Sequence, residues 1–490
     1  MHPEVQQEHP GKCPKCGMDL VPKEQVEHGR GEAPAGDDHN EMIRQMRRPW
    51  LWTNFTVMAL GLWLTSSPAT FGYGSVAMTW SDVASGVLLV LLSAYSLKPT
   101  PRNDFWGRWL ACGVGVWLQF APLVFWAPSA AAYINDTLVG VFVIALTILV
   151  PMMPGMAHHM AMMKPGPEVP PGWTYNPSSW HQRAPLIALA IVGWFISRYL
   201  AAVQLGYIPA AWEPFFGEGT SRVLHSEVSR MWPISDAGLG AFAYTFEALM
   251  GFMGNTKRWR TMPWMVSFFF VLVVPLGLTH IVLVILQPVA VGYWCTLCLA
   301  AAFVMLLMIP LMLDEVFAML QFMMQAKREG KPLWRTFWVG DTIEGGGPDQ
   351  RTPRYGAPAL SMAPAMVWGV SVPWTLLISA ALGIWMMFAP AVFGTLDSDT
   401  TRTFTLADSS QLAGALIAVV AICAMAEVVR TARYLNVLLG LWLIGSPFML
   451  SGANAGGTIN GVIVGLLIAA LSLPRGRVQE RYASWDRWVI

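Results

Sequence analysis

The chain has 490 residues, 54% of them hydrophobic and 12% charged, with a mean hydropathy of +0.46. That composition excludes an ordinary soluble enzyme and fits a polytopic membrane protein. A net charge of +1 offers no basic field to nucleic acid, no nucleic-acid motif is present, and the polar N-terminus lacks the basic head and apolar core of a signal peptide.

The first forty residues form a polar module. His2-Pro3 and His9-Pro10 precede Cys13-Pro14-Lys15-Cys16-Gly17-Met18. A Cys-x-x-Cys-Gly turn is a knuckle whose backbone amides face both sulfurs, with Gly17 permitting the tight turn. Thiolates beside imidazole favour borderline or soft ions such as Zn(II) or Cu(I). The segment resembles the short heavy-metal-binding domain of copper-exporting P-type ATPases and metal-efflux adaptor proteins, which opens Cys-Pro-Met-His-Pro. This chain begins at the Met of that opening. Either the start codon is chosen too far downstream, or the metal site the resemblance implies is a weaker one formed by His2, Cys13 and Cys16, with His9 and Met18 assisting.

About twelve apolar stretches follow, each long enough to span a bilayer of ~30 Å. They cover roughly 50–66, 81–97, 109–127, 136–155, 185–205, 236–254, 262–287, 290–313, 371–393, 408–428, 434–451 and 456–474. Alternate loops hold Lys98, Arg102 and Arg108; Lys257, Arg258 and Arg260; and Lys327, Arg328, Lys331 and Arg335. By the positive-inside rule both termini are then expected to be cytoplasmic.

A repeat marks the stretches at either end. Gly61-Leu62-Trp63, Gly115-Val116-Trp117, Gly383-Ile384-Trp385 and Gly440-Leu441-Trp442 are each followed, five residues after Trp, by Pro68, Pro122, Pro390 or Pro447. A second helix follows each copy, with Gly86, Gly140, Gly414 or Gly465 near its start. Each unit reads as a helical hairpin in which Pro ends the first helix and Gly lets the second approach closely. The pattern resembles the bacterial SPW-repeat family, through Ser67-Pro68 and Ser446-Pro447, over 45–160 and 366–474. The family carries no assigned chemistry, so the resemblance implies a scaffold. Met152, Met153, Met156, His158, His159, Met160, Met162 and Met163 form a soft-ligand run after the second hairpin. Such runs more often fill space than bind copper.

A polar neck (161–184) leads to a central four-helix block (185–325), and a Gly/Pro-rich cytoplasmic linker (326–365) that reads as flexible follows it. Near the end of the central block, Cys295-Thr296-Leu297-Cys298 heads an apolar helix expected over Val291 to about Leu313. Two thiols three positions apart share a helix face, and the helix N-terminus favours a thiolate, which makes Cys295 the expected nucleophile. Orientation places the pair near the outer, oxidising face.

The loop 206–235 carries Val223-Leu224-His225-Ser226, then Pro233-Ile234 and Leu239-Gly240 just beyond it. Helix, long loop with these motifs, two helices and Cys-x-x-Cys together resemble the vitamin K epoxide reductase family. The resemblance implies a Cys295–Cys298 pair that reduces a quinone inside the bundle, with Ser226 as hydrogen-bond donor to it. It also implies exchange with a periplasmic thiol protein. Two positions depart from the family pattern: Thr220 stands where a loop cysteine is usual, and Ala302 where some members have tyrosine. Arg198, Glu247 and His280 are ionisable residues inside the block, where charge is costly and usually faces a bundle interior. Arg198 is expected to stabilise a thiolate or quinol anion, His280 to move protons at the quinone, and Glu247 to neutralise Arg198. Cys112 and Cys423 read as packing residues.

The sequence thus predicts an all-α polytopic membrane protein: a central four-helix bundle flanked by helical-hairpin repeats, with a small N-terminal metal knuckle. Its expected partners are membrane lipid, quinone and a thiol protein, with no nucleic acid. The expected activity is thiol–disulfide/quinone oxidoreduction. The alternative is non-catalytic copper handling, or a structural membrane protein with a degenerate redox site.

Overall fold

The structure is a computed structural model that describes residues 50–97, 101–149, 166–354, 356–394 and 404–489. The N-terminal metal module and the Met/His run of 152–163 lie outside the described residues. Among the described residues the protein is helical, with isolated bridges and no strand.

Twelve main helices occupy the twelve apolar stretches. The first block holds α1 (Leu51–Phe71), α2 (Val76–Leu97), α3 (Pro101–Val124) and α4 (Ala130–Ile144). The core holds α5 (Trp180–Gln204), α6 (Asp236–Phe252), α7 (Pro263–Leu286) and α8 (Thr296–Arg328). The second block holds α9 (Trp374–Val392), α10 (Leu406–Cys423), α11 (Leu435–Gly445) and α12 (Ala455–Leu471). Eight helical stretches among the described residues are long and apolar enough to cross a membrane; α1, α3, α6 and α12 are shorter or less apolar.

The repeat glycines do what their spacing predicts. A Cβ on Gly86 would sit 2.5 Å from the Gly61 carbonyl oxygen, and one on Gly414 would sit 2.5 Å from that of Gly383. Gly115 with Gly140, and Gly440 with Gly465, meet in the same way. With no side chain between them, the backbones of each hairpin touch. The tryptophans then tie hairpin to hairpin. Trp63 Nε1 on α1 donates to Asn135 Oδ1 on α4, and Trp117 Nε1 on α3 donates to Ser81 Oγ on α2 (2.8 and 3.0 Å). In the second block Trp385 donates to Asn460 and Trp442 to Ser409 (3.0 and 2.9 Å). The acceptor in every case lies five residues before the second helix's glycine. Each block is therefore a pseudo-two-fold pair of hairpins that exchange indole hydrogen bonds. The prolines end their helices less sharply than expected. Pro68, Pro122 and Pro390 lie inside the last turn, because only one N–H is lost there and the helix runs two or three residues further.

In the core, α5 packs on α6 and α8, and α7 on α8. The end of the molecule away from the cysteines is closed by a buried ion pair. Arg258 Nε and Nη2 each donate to Glu315 at 2.6 Å. The Gly/Pro-rich stretch expected to be flexible packs here: Val169 pairs with Gly347, and the Asp341 amide donates to the Arg260 carbonyl. Gly340, Gly345 and Gly346 take positive φ, so the glycines serve as turns that let the segment fold back on the neck.

Candidate active site

The path from α7 to α8 sets the cysteine pair. A π-helical turn, Gln287–Val291, ends α7, and Gly292 (φ 76°) reverses the chain. The cysteine helix therefore starts five residues later than expected, at Thr296, and runs on to Arg328. Cys295 is its N-cap: its backbone is extended and its sulfur accepts the Cys298 N–H at 3.1 Å. The two sulfurs are joined as a disulfide. Cys295 is fully buried, whereas Cys298 is half-buried.

Two elements enclose Cys295. Its N–H donates to Oε1 of the buried Gln287 at 2.9 Å. On the other side Thr220 Oγ1 lies 3.4 Å from Cys295 Sγ. Thr220 belongs to the short helix Gly219–Leu224, which presses so closely on the cysteine turn that a Cβ on Gly219 would meet the Trp294 carbonyl oxygen at 1.9 Å. Glu213 clamps the arrangement. Its carboxylate accepts from the Thr220 hydroxyl (2.5 Å), the Thr296 amide (2.9 Å), the Thr296 hydroxyl, and the Phe215 and Phe216 amides (3.2 Å each). Partial burial by itself would raise the Glu213 carboxyl, but the donors from Thr220 and Thr296 outweigh it and hold the group down at about 2.

A cavity of about 220 Å³ opens beside Cys298. Leu200, Leu224, Leu283 and Val284 give it an apolar wall, and Ser226, His280 and Gln287 are among its polar groups; Cys295 is not in the wall. The segment over it is fixed by Gln204, whose Nε2 donates to Ser229 Oγ and Asp236 Oδ1 at 2.7 Å. Ser226 caps the short helix Glu227–Arg230 and donates its own proton to the Val223 carbonyl at 2.7 Å, so this proton is already committed. His280 Nδ1 lies 2.9 Å from the Leu276 carbonyl. A carbonyl only accepts, so Nδ1 carries the hydrogen and Nε2 of the neutral ring carries the lone pair.

Arg198 points away from the cysteines. Its Nη1 donates to Thr137 Oγ1 on α4 at 3.0 Å, and its guanidinium packs over the Tyr133 and Trp194 rings. The expected Arg198–Glu247 pair does not form, because Glu247 is buried with neither carboxylate oxygen hydrogen-bonded among the described residues. Cys112 is buried and Cys423 half-buried, both without a disulfide. His2, Cys13 and Cys16 lie outside the described residues.

Sequence reasoning missed Glu213 and Gln287, whose roles need the loop and the π turn folded against the cysteines. It also passed over Asp82 and Asp136, although their signal was present: each lies four residues before the glycine of its hairpin.

Comparison with known families agrees with this layout. Residues 184–313 match the Vitamin K epoxide reductase family. Residues 51–150 and 361–474 match the SPW repeat domain, and residues 1–23 match the Heavy metal binding domain. No curated protein and no solved structure matches the chain.

Proposed function

We propose that the core is a membrane thiol–quinone oxidoreductase in which Cys298 is the sulfur facing the quinone and Cys295 its buried partner. One observation carries the reading: a largely apolar cavity whose wall includes Cys298 and excludes Cys295. A flat ring with two carbonyl oxygens suits a wall that is mostly hydrocarbon and bears a few polar groups. A quinone held there would accept two electrons and two protons.

On the protein side, the two thiols give up those electrons and protons and close the S–S bond. Cys298 sits in the first turn of α8, where the helix N-terminus favours a thiolate. Cys295 Sγ accepts the Cys298 N–H and lies 3.4 Å from the Thr220 hydroxyl, which also donates to Glu213. Burial behind the cavity wall keeps Cys295 from the quinone until Cys298 has reacted, which reverses the order expected from the helix N-terminus alone. His280 accepts a hydrogen bond at Nε2 when neutral and donates one when protonated. Thr220 replaces the loop cysteine, so a thiol partner must reset the disulfide by reaching the half-buried Cys298 directly. In this reading both termini are cytoplasmic, in a bacterial inner membrane, and the cysteines face the outer boundary. His2, Cys13 and Cys16 hold Zn or Cu on the opposite side.

The test uses purified full-length protein in lipid nanodiscs, reduced with a dithiol and mixed with a short-chain ubiquinone or menaquinone. Wild type should form quinol, Cys298→Ala should lose turnover, and Cys295→Ala should lose turnover while Cys298 still reacts with an apolar maleimide delivered through the cavity. Absence of both bound quinone and dithiol-dependent quinone reduction in the wild type would overturn the reading.

A further inference from the structure

The first repeat block holds two acidic side chains that the redox site does not use. Asp82 on α2 and Asp136 on α4 occupy equivalent positions, four residues before Gly86 and Gly140. Both are completely buried. The pseudo-two-fold axis of the block brings their carboxyl groups together, each the other's side-chain hydrogen-bond neighbour. In the second block the same positions are Ser410 and Gly461, so the hairpin geometry itself does not require carboxyls.

Among the described residues the surroundings provide no counter-charge. Neither oxygen of Asp82, nor Oδ2 of Asp136, has a hydrogen bond of full geometry among the described residues, and the Tyr73 hydroxyl is the O–H set beside both carboxyls. Asp136 Oδ1 accepts from the Asn135 amide at 3.4 Å. Asn135 is itself held by Trp63 Nε1 at 2.8 Å from α1, and its amide also donates to the Tyr73 hydroxyl at 3.3 Å. Tyr73 faces Asp82 from the turn between α1 and α2, and Ser67 lies against Asn135 from α1. On the side of the core, Arg198 is spent on Thr137 Oγ1 and on the Tyr133 and Trp194 rings. From α3, Gln119 is spent on the Thr137 carbonyl.

Two ionised carboxylates in contact in such a site would repel each other and lose their hydration with no compensation. A single proton between them turns the repulsion into an O–H···O⁻ hydrogen bond and gives the orphaned oxygens a partner. We propose that Asp82 and Asp136 form a proton-binding site in the first repeat block, with one proton held between the two carboxyl groups. The ligand is the proton and not a metal ion: among the described residues no set of three or more His, Cys, Asp or Glu converges on one point. Tyr73 is half-buried in the turn, and its hydroxyl links the pair to the aqueous end of the block.

An apolar carbodiimide, dicyclohexylcarbodiimide, reads this state directly. A protonated carboxyl adds across its C=N bond, the proton going to nitrogen and the carboxyl oxygen to carbon. The adduct then rearranges to an N-acylurea that keeps every atom of both reactants. The full-length protein in nanodiscs should take up one reagent per chain at Asp82 or Asp136, mapped by mass spectrometry of the wild type. Infrared spectra should show the carbonyl stretch of a buried carboxylic acid, lost when Asp82→Asn and Asp136→Asn are combined. Labelling confined to Glu247 or absent, with no band lost in the double variant, would overturn the proposal. Labelling blocked by millimolar Ca²⁺ or Na⁺ would overturn it as well, by making the pair a cation site. The wild-type mapping stands even if the variant does not fold.

Discussion

The two repeat blocks share a frame and differ in what the frame holds. Both press paired glycines together and exchange indole hydrogen bonds between hairpins. One position beyond the indole acceptor they part: Asp82 and Asp136 in the first block, Ser410 and Gly461 in the second. Since the frame is the same with and without carboxyls, its stability comes from backbone approach and hydrogen bonding. The acidic pair is an addition to one copy. The blocks also meet the core differently, the first through Arg198 of α5 bonded to Thr137 of α4 and the second by packing of α10 on α7 and α8.

The strongest way to break the equivalence is to push the hairpins apart. Gly86→Val and Gly414→Val each drive a side chain into a backbone carbonyl about 2.5 Å away. Each should cost about 3 kcal/mol, read as a fall in thermal midpoint in detergent. A block that tolerates valine would show that the glycine contacts are not equivalent. Next, Ser410→Asp places a lone carboxyl in the second block with no partner at Gly461. It should destabilise the protein by about 2 kcal/mol. The same unfolding assay should then show recovery when Gly461→Asp completes the pair. A smaller and equal loss, about 1 kcal/mol, is expected for Trp63→Phe and Trp385→Phe, since each removes one indole hydrogen bond of the same kind. Unequal losses would mean that the Asn135 network around the acidic pair strengthens the first block's bond.

The core adds a pH-dependent contrast of its own, set by Glu213. Glu213 titrates at about 2 in the folded chain against an ordinary 4.5. Its folded value is the lower one, so its contribution is complete above about pH 4.5 and is lost as the pH falls toward 2. Proteolysis of the 206–235 loop and reduction of the buried disulfide should therefore both accelerate through that window. Glu213→Gln should remove the acceleration and expose Cys295 at neutral pH.

Much of the frame was legible from residue spacing alone. Twelve apolar stretches, the Gly-x-Trp and Pro repeat, and a Cys-x-x-Cys at a helix start are all local patterns. Local patterns survive because helices bury faces at a fixed period. The partners of the tryptophans were not legible, because Trp63 and Asn135 are 72 residues apart and meet only through hairpin exchange. Arg198 shows the same limit from the other side. Depth along α5 put it level with the cysteines, but rotation about the helix axis turned it toward α4.

The sequence by itself determined that this is a helical membrane protein with a repeated hairpin and a dithiol at a helix N-terminus, since composition, period and spacing are properties of neighbouring residues. Only the tertiary structure decided which sulfur meets the cavity, that Thr220 and Glu213 enclose the other, and that Asp82 and Asp136 face each other. Those are contacts between segments far apart in the chain, set by how the helices rotate and pack, and no local pattern encodes a helix's rotation about its own axis.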